Sequence, residues 1–340
     1  VTGFLRGLWV VTSIELRQRV RGVAWYVLLG VFVALILLVT FLTTLALGYS
    51  EAPGAGLYST IIYFVLLLGT LVTPALSGNA VNGDRDNGTL ATVQVTLVST
   101  PQLVLGKFLA AWITALAFLV AALPFLIFSF VIGGAQLDIV VISVLVLAAE
   151  LGVVAAIGVG LSGIIRKPLF SIVVTYLVVA LLSVGTLIAF TLGGLVSQTR
   201  VTIPNEYYDF ETGECVTQGT YETSIPRFDQ VWWILAANPY VVLADAVPTH
   251  YDTYGNPNDL FGGIKYGLRS AQQPPDLDGY GCEEQQDQDY PTAREVIDGS
   301  VPGWFVGFGI HLAMSVAALW GAIALTHAPS RRLAAGSRVA

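Results

Sequence analysis

Val141–Gly160 reads VISVLVLAAELGVVAAIGVG, an unbroken apolar run with one charged residue, Glu150. A helix needs roughly 20 mostly apolar residues to cross a bilayer, and this run supplies them. Working outward, the stretch extends over Ile139–Ile165. Five others of similar length accompany it: Trp25–Gly48, Leu57–Val81, Phe108–Ile132, Leu169–Ser197 and Pro302–Thr326. The chain of 340 residues is 55% hydrophobic and 11% charged, against roughly 25% charged in an average soluble domain. A soluble core cannot hide that much apolar surface. The sequence therefore predicts an all-α polytopic membrane protein with six transmembrane helices.

Lys and Arg give the expected orientation. With the N-terminal side inside, the inner segments hold Arg6, Arg17, Arg19, Arg21, Arg85, Lys107, Arg166, Lys167, Arg331, Arg332 and Arg338. The short outer loops near Glu51 and Asp138 hold no basic residue, and the other basic residues all lie in Gln198–Val301. Both termini are expected on the cytoplasmic face of the cell membrane, and Val1–Arg21 shows no cleavable-leader pattern. An even number of spans leaves no place for a seventh at VWWILAANPYVVLADAV (Val231–Val247). That stretch is short, is broken at Asn238-Pro239 and carries Asp245; it reads as a surface or re-entrant helix pair.

The expected organisation follows. Residues 1–24 form an interfacial helix, and residues 25–197 hold spans one to five with a cytoplasmic polar segment at 82–107. Residues 198–301 form a large extracellular acidic domain, residues 302–327 the sixth span, and residues 328–340 a cytoplasmic tail. The domain holds 17 acidic and five basic residues and both cysteines. On the oxidising side, Cys215 and Cys282 are expected to form a disulfide. DLDGYGCEEQQDQD (Asp276–Asp289) falls short of a calcium loop, because Tyr280 and Asp287 replace two expected ligands; it reads as a solvated acidic surface.

Sequence signatures of catalysis are missing. There is no GxxxxGK[ST] phosphate loop and no HExxH zinc helix, so neither an enzyme nor a metal site is expected. No nucleic-acid partner is expected either. His250, His311 and His327 have no carboxylate partner nearby in sequence, and His311 reads as a helix-packing residue. Glu150 is different, since a carboxylate at bilayer depth is costly unless paired, protonated or facing water. Two readings stay open: a translocation-path or protonatable residue, or a hydrogen bond to a neighbouring helix's Thr, Ser, Tyr or backbone. Gly152, Gly158, Gly160 and Gly163, with Ala155 and Ala156, suit close helix packing.

TGFLRGLWVVTSIELRQRVRG (Thr2–Gly22) places Leu5, Leu8, Thr12 and Leu16 on one helical face beside Trp9, and Arg6, Ser13 and Arg17 on another. That pattern predicts a basic amphipathic helix in the inner interface. NGDRDNGTLATVQVTLVSTPQLVLGK (Asn82–Lys107) interrupts the apolar pattern between spans two and three. Thr89, Thr92, Thr96 and Ser99 follow helical spacing, yet TVQVTLV also alternates as a strand does. Thr100 is then a good N-cap, with Pro101 at the first helical position. A short ordered element with a polar stripe suits docking on a partner.

In these residues the chain resembles the ABC-2 type exporter permeases. The resemblance rests on Asp84-Arg85-Asp86, Gly88-Thr89-Leu90, Thr100-Pro101 and Gly106-Lys107, with Asn238-Pro239-Tyr240 as the Asn-Pro before the final span. Ala91 stands where the family commonly carries Glu. The resemblance implies that residues 82–107, with Thr92 and Thr96 on the stripe, couple to separate cytoplasmic ATPase subunits. ATP and Mg would bind those subunits, and this chain would carry no cofactor. It also implies pairing with a second permease, as homodimer or heterodimer, around a path for an amphipathic, drug-like or lipid-like substrate. Two other readings compete: a proton-coupled secondary transporter using Glu150, and a non-transport membrane scaffold or enzyme.

Overall fold

The computed structural model describes residues 2–47, 53–86, 88, 98–133, 135–209, 212, 214–275 and 291–326. In chain order these form α1 (Thr2–Val20), α2 (Val23–Leu47), α3 (Pro53–Ser77), α4 (Asn82–Asp86), α5 (Thr100–Ile132), α6 (Leu137–Ile164) and α7 (Pro168–Ala180). A π turn (Leu181–Gly185) leads into α8 (Thr186–Val196), then β1 (Gln198–Asp209) and β2 (Glu214–Pro226). The rest is α9 (Trp232–Ala236), α10 (Pro239–Ala246), α11 (Leu260–Ser270), α12 (Ala293–Asp298) and α13 (Trp304–Thr326). Two compact units result: Val1–Leu182 with Phe308–Ala340, and Ser183–Gly307.

Six helices are long and apolar enough to cross a membrane: Val23–Leu47, Pro53–Asp86, Thr100–Ile132, Leu137–Ile164, Pro168–Val196 and Trp304–Thr326. The chain is thus a multi-pass membrane protein by the length and composition of its helices. The third of these begins well before the expected Phe108. Its cap is Ser99, one residue earlier than the predicted Thr100, and Pro101 follows in the first turn. The Ser99 N–H donates to Gln102 Oε1 at 2.7 Å, the backward half of a capping box.

In the first unit α3 and α6 form the central pair. Ile61, Ile62, Val65 and Leu66 on α3, and Leu147, Leu151 and Val159 on α6, are wholly buried. Small residues set the close approaches. A Cβ on Gly69 would lie 2.4 Å from Leu151, and one on Gly158 would lie 1.9 Å from Ser77 Oγ. α13 meets α6 the same way: Cβ atoms on Gly160 and Gly163 would each sit 2.5 Å from the Cβ of Ala318 and Ala322 respectively. Lipid supplies no hydrophobic drive between helices, so such contacts rest on dispersion at short range. α2 adds Phe32 and Ile36 to the core, and the rings of Trp25 and Phe32 stand edge-on to Phe118 at 5.2 and 5.0 Å. Leu37, Phe41, Leu177, Val316 and Trp320 are exposed, as hydrocarbon-facing side chains should be.

Pro74 lies inside α3 and disturbs the hydrogen-bond ladder one turn back. There the Tyr176 hydroxyl of α7 donates to the Leu71 carbonyl at 2.7 Å.

The second unit departs from an all-α pattern. β1 and β2 pair as an antiparallel hairpin from Gln198↔Pro226 to Asp209↔Glu214, with a register irregularity between Pro204 and Glu206. Pro204 has no N–H to give the ladder, so an irregularity there is where proline is tolerated. The expected helix pair at Val231–Val247 is present as α9 and α10, broken at Asn238-Pro239. It is not a surface element, because Val242, Leu243 and Ala244 of α10 are wholly buried. Asn238 Oδ1 caps α10 by accepting from the Tyr240 N–H at 2.9 Å. Its Nδ2 donates to the Ser183 carbonyl at 2.6 Å and to Thr186 Oγ1 at 2.9 Å, fastening the π turn. Of the expected disulfide, Cys215 falls in β2, whereas Cys282 and the acidic loop around it lie outside the described residues.

The α6–α13 seam yields a direct test. Gly160→Ala places a methyl against Ala318 and its backbone and should destabilise the chain by about 1–3 kcal/mol through overpacking. Gly309→Ala, where a Cβ meets nothing within 4 Å, should leave the detergent-solubilised melting temperature unchanged. Equal melting of the two variants would refute the close seam.

Candidate functional site

Two clusters of polar side chains stand out in the first unit. One lies at its basic end, where the polar stretch from Asn82 to Lys107 leaves and re-enters the helices. Ser162 Oγ near the end of α6 accepts the backbone N–H groups of Val81 and Asn82 at 3.0 and 3.1 Å. Asn82 Nδ2 returns a bond to the Ile165 carbonyl at 2.6 Å. Arg85 donates to Asn82 Oδ1 at 2.7 Å and to the Gly163 carbonyl at 3.4 Å. The last carbonyls of a helix lack intrahelical donors, and a cation there also complements the helix dipole. α4 thus caps α6.

Lys107 is 2% exposed and its Nζ bridges two carboxylates, Glu15 Oε1 of α1 and Asp84 Oδ2 of α4, the latter at 2.8 Å. Around it α1 is fastened to α5. Thr12 Oγ1 donates to the Gly106 carbonyl at 3.2 Å and Gln102 Nε2 to the Phe4 carbonyl at 3.0 Å. Gly106 is needed because a Cβ there would lie 2.7 Å from Val11. Arg19 reaches the Leu76 carbonyl at 3.1 Å and Thr114 Oγ1 at 3.3 Å; burial lowers its pKa from the ordinary arginine value, against the pull of Glu15. The face of α1 turned to the protein is Val11, Thr12, Glu15 and Arg19. Leu5 and Trp9, placed by sequence on or beside the apolar face, are exposed.

The structure therefore sorts the sequence-named residues. Asp84, Arg85 and Lys107 are joined to internal partners, with Thr100 and Pro101 opening α5. Asp86 is exposed. Gly88 has φ +69°, a left-handed conformation that glycine adopts without steric cost. Thr89, Leu90, Thr92 and Thr96 lie outside the described residues. Sequence reading passed over Glu15, Asn82 and Ser162. The available signal was Glu15, the sole acid in the arginine-rich first 24 residues.

The other cluster lies deep in the helices. Glu150 Oε1 of α6 is 3.0 Å from His311 Nδ1 of α13, with side chains 1% and 0% exposed. The partner of Glu150 is thus none of the Ser, Thr, Tyr or backbone groups weighed from sequence. It is a histidine 161 positions away, and the contact joins α6 to α13. Glu150 Oε2 is buried with no hydrogen-bond partner among the described residues. Trp112 closes over the adjoining turn, donating from Nε1 to the Ala148 carbonyl at 2.8 Å.

The second unit holds its own buried charges. Asp245 accepts from Arg269 Nε at 2.7 Å and from the N–H groups of Gly303 and Trp304 at 2.6 and 2.8 Å. Lys265 donates to the Val247 carbonyl. Burial pulls the Lys265 pKa down to about 8, against the opposing charge of Asp245. Burial also raises the Asp259 carboxyl, against the Gly262 N–H bonded to it.

Lys107→Met strands Glu15 and Asp84 beside each other. It should cost about 2 kcal/mol of stability, less than the 3–5 kcal/mol of a fully buried pair because both carboxylates reach solvent. Thermal melting in detergent checks this, and an unchanged midpoint would contradict the bridge. Lys265 predicts a pH trend. Below about pH 8 folded and unfolded chains both hold its proton, and the folded one bears the full burial cost. As pH rises from about 8 toward the ordinary lysine value of 10.5, only the folded state sheds that proton, so stability rises. The melting temperature of wild type relative to Lys265→Met should therefore rise by roughly a few degrees over that window; a constant difference would contradict it.

No protein-family model and no curated protein matches the chain.

Proposed function

We propose that this chain is the membrane-spanning permease of an ATP-driven exporter of the ABC-2 type. In this reading it pairs with a second permease and is driven by separate cytoplasmic ATPase subunits that bind ATP and Mg. The observation that carries the reading is how the polar stretch between the second and third spans is mounted. Asn82 and Arg85 tie its start to the end of α6, and Lys107 ties its finish to α4 and α1. A push on the segment between them is delivered to α1, α3, α5 and α6 together. Rigid-body transmission of this kind needs stiff attachments, because a loosely tethered loop absorbs the displacement.

In this reading the basic end of the first unit faces the cytoplasm of a cell membrane, and residues 198–301 are extracellular. The coupling contact falls on the residues that remain outward-facing. Asp86 is the best placed of these, while Asp84 serves the internal bridge. The substrate class that suits a path among Leu, Val, Phe and Gly side chains is amphipathic, drug-like or lipid-like.

The test is isolation of the full chain from its native membrane. A cytoplasmic ATPase should co-purify with it. Asp86→Lys should lower substrate-stimulated ATP turnover about tenfold, equivalent to roughly 1.4 kcal/mol, with melting unchanged. A chain that purifies with no ATPase and transports without ATP would sink the reading.

A further inference from the structure

Glu150 and His311 sit where a net charge is least tolerable. By the 1.5 Å helical rise, each lies on the order of 20 Å from the basic end of its helix. Below them the α6–α13 seam is closed by Gly160 on Ala318 and Gly163 on Ala322. Beside it Ala155, Val159 and Ala322 pack with Val81, Val104 and Ala111 in one apolar cluster. The polar side chains of α13 on that side are Ser315, which donates to the His311 carbonyl, and Thr326 at the helix end.

The other titratable groups on the surrounding helices are placed or engaged elsewhere. Tyr58 of α3 bonds Ser143 at 2.9 Å, and Tyr63 is off the buried face made by Tyr58, Ile62, Val65 and Gly69. Tyr176 of α7 bonds the Leu71 carbonyl. Lys107 of α5 and the Asp84-Arg85-Asp86 group are at the basic end, and Asp138 is in the first turn of α6. α2 carries Tyr26 near its start, and α13 offers His311 alone.

The pair is electrically neutral in two forms, carboxylate with imidazolium or carboxylic acid with imidazole. Both contain the same single titratable proton, and the 3.0 Å Oε1–Nδ1 contact accommodates either. Losing that proton leaves a buried anion whose second oxygen, Oε2, has no donor. We propose that Glu150 and His311 form a one-proton binding site in the α6–α13 seam, loaded while the helices are closed and exchanging with water when they part. Its ligand is a proton, and the site stands whether or not an ATPase drives the chain.

Infrared difference spectroscopy on the purified full chain at about pH 8 tests it. Wild type should show a protonated-carboxyl or an imidazolium signal that disappears in Glu150→Gln. Unfolding in weak buffer at that pH should release one proton more from wild type than from Glu150→Gln/His311→Gln. Carboxylate bands with a neutral imidazole, or equal proton release, would overturn the site. Two further readings do not depend on those variants folding. In wild type the signal should exchange slowly in D2O. Gly160→Leu, which keeps both site residues and wedges the seam, should make it exchange several-fold faster. Wild-type exchange as fast as in that variant would also overturn the proposal.

Discussion

Hydrocarbon offers no hydrogen bonds, so every backbone polar group in the spans must be satisfied within the protein. That constraint explains more of this structure than any single contact. Many hydroxyls in the helices fold back on their own carbonyls: Thr44 on Thr40, Ser77 on Thr73, Thr114 on Ala110, Thr175 on Ser171. They then make no demand on neighbours, and the helices can pack through glycine and alanine. Where a helix is interrupted, a side chain from elsewhere makes the repair. Asn238 does so at the π turn, and Asn82 with Arg85 at the end of α6.

Buried charges obey the same constraint with different degrees of completeness. Asp245 is met by a guanidinium and two backbone N–H groups, and such a fully satisfied network specifies packing. Lys107 is shared by two carboxylates that still touch water, so it fastens segments at low electrostatic strain. Glu150 has one partner for two oxygens. An unsatisfied buried polar atom in a native fold calls for an explanation, and among those of the described residues Glu150 Oε2 is the one on an ionisable side chain.

The spans were legible because length and apolar composition alone decide them. Their ends were less so. Lys107 cut the hydropathy window at Phe108, but its charge is neutralised by Glu15 and Asp84, and α5 runs back to Thr100. The cap fell on Ser99 because Gln102, not a residue three after Thr100, reaches back. The β1–β2 hairpin was hidden by composition: the alternating Val201 and Ile203 lie in a segment whose acidic and turn-forming residues drew the reading toward an undivided polar domain. The Glu150–His311 contact was illegible for a different reason. Sequence proximity finds partners one or two turns apart, and these residues meet only because α13 returns along α6 after the whole second unit.

α6 links the two clusters. Its end is capped by Asn82 and Arg85, and its middle carries Glu150, so the helix is a rod between the polar stretch and the buried pair. Its contacts with α3 and α13 mix small residues with larger ones, Gly158 on Ser77 and Gly160 on Ala318 beside Leu151 over Gly69 and Ile164 over Gly321. Deep in the span α6 makes polar side-chain contacts with other helices at Ser143, with Tyr58 of α3, and at Glu150, with His311 of α13. The mounting of the polar stretch and the incompletely satisfied carboxylate therefore lie on one continuous helix.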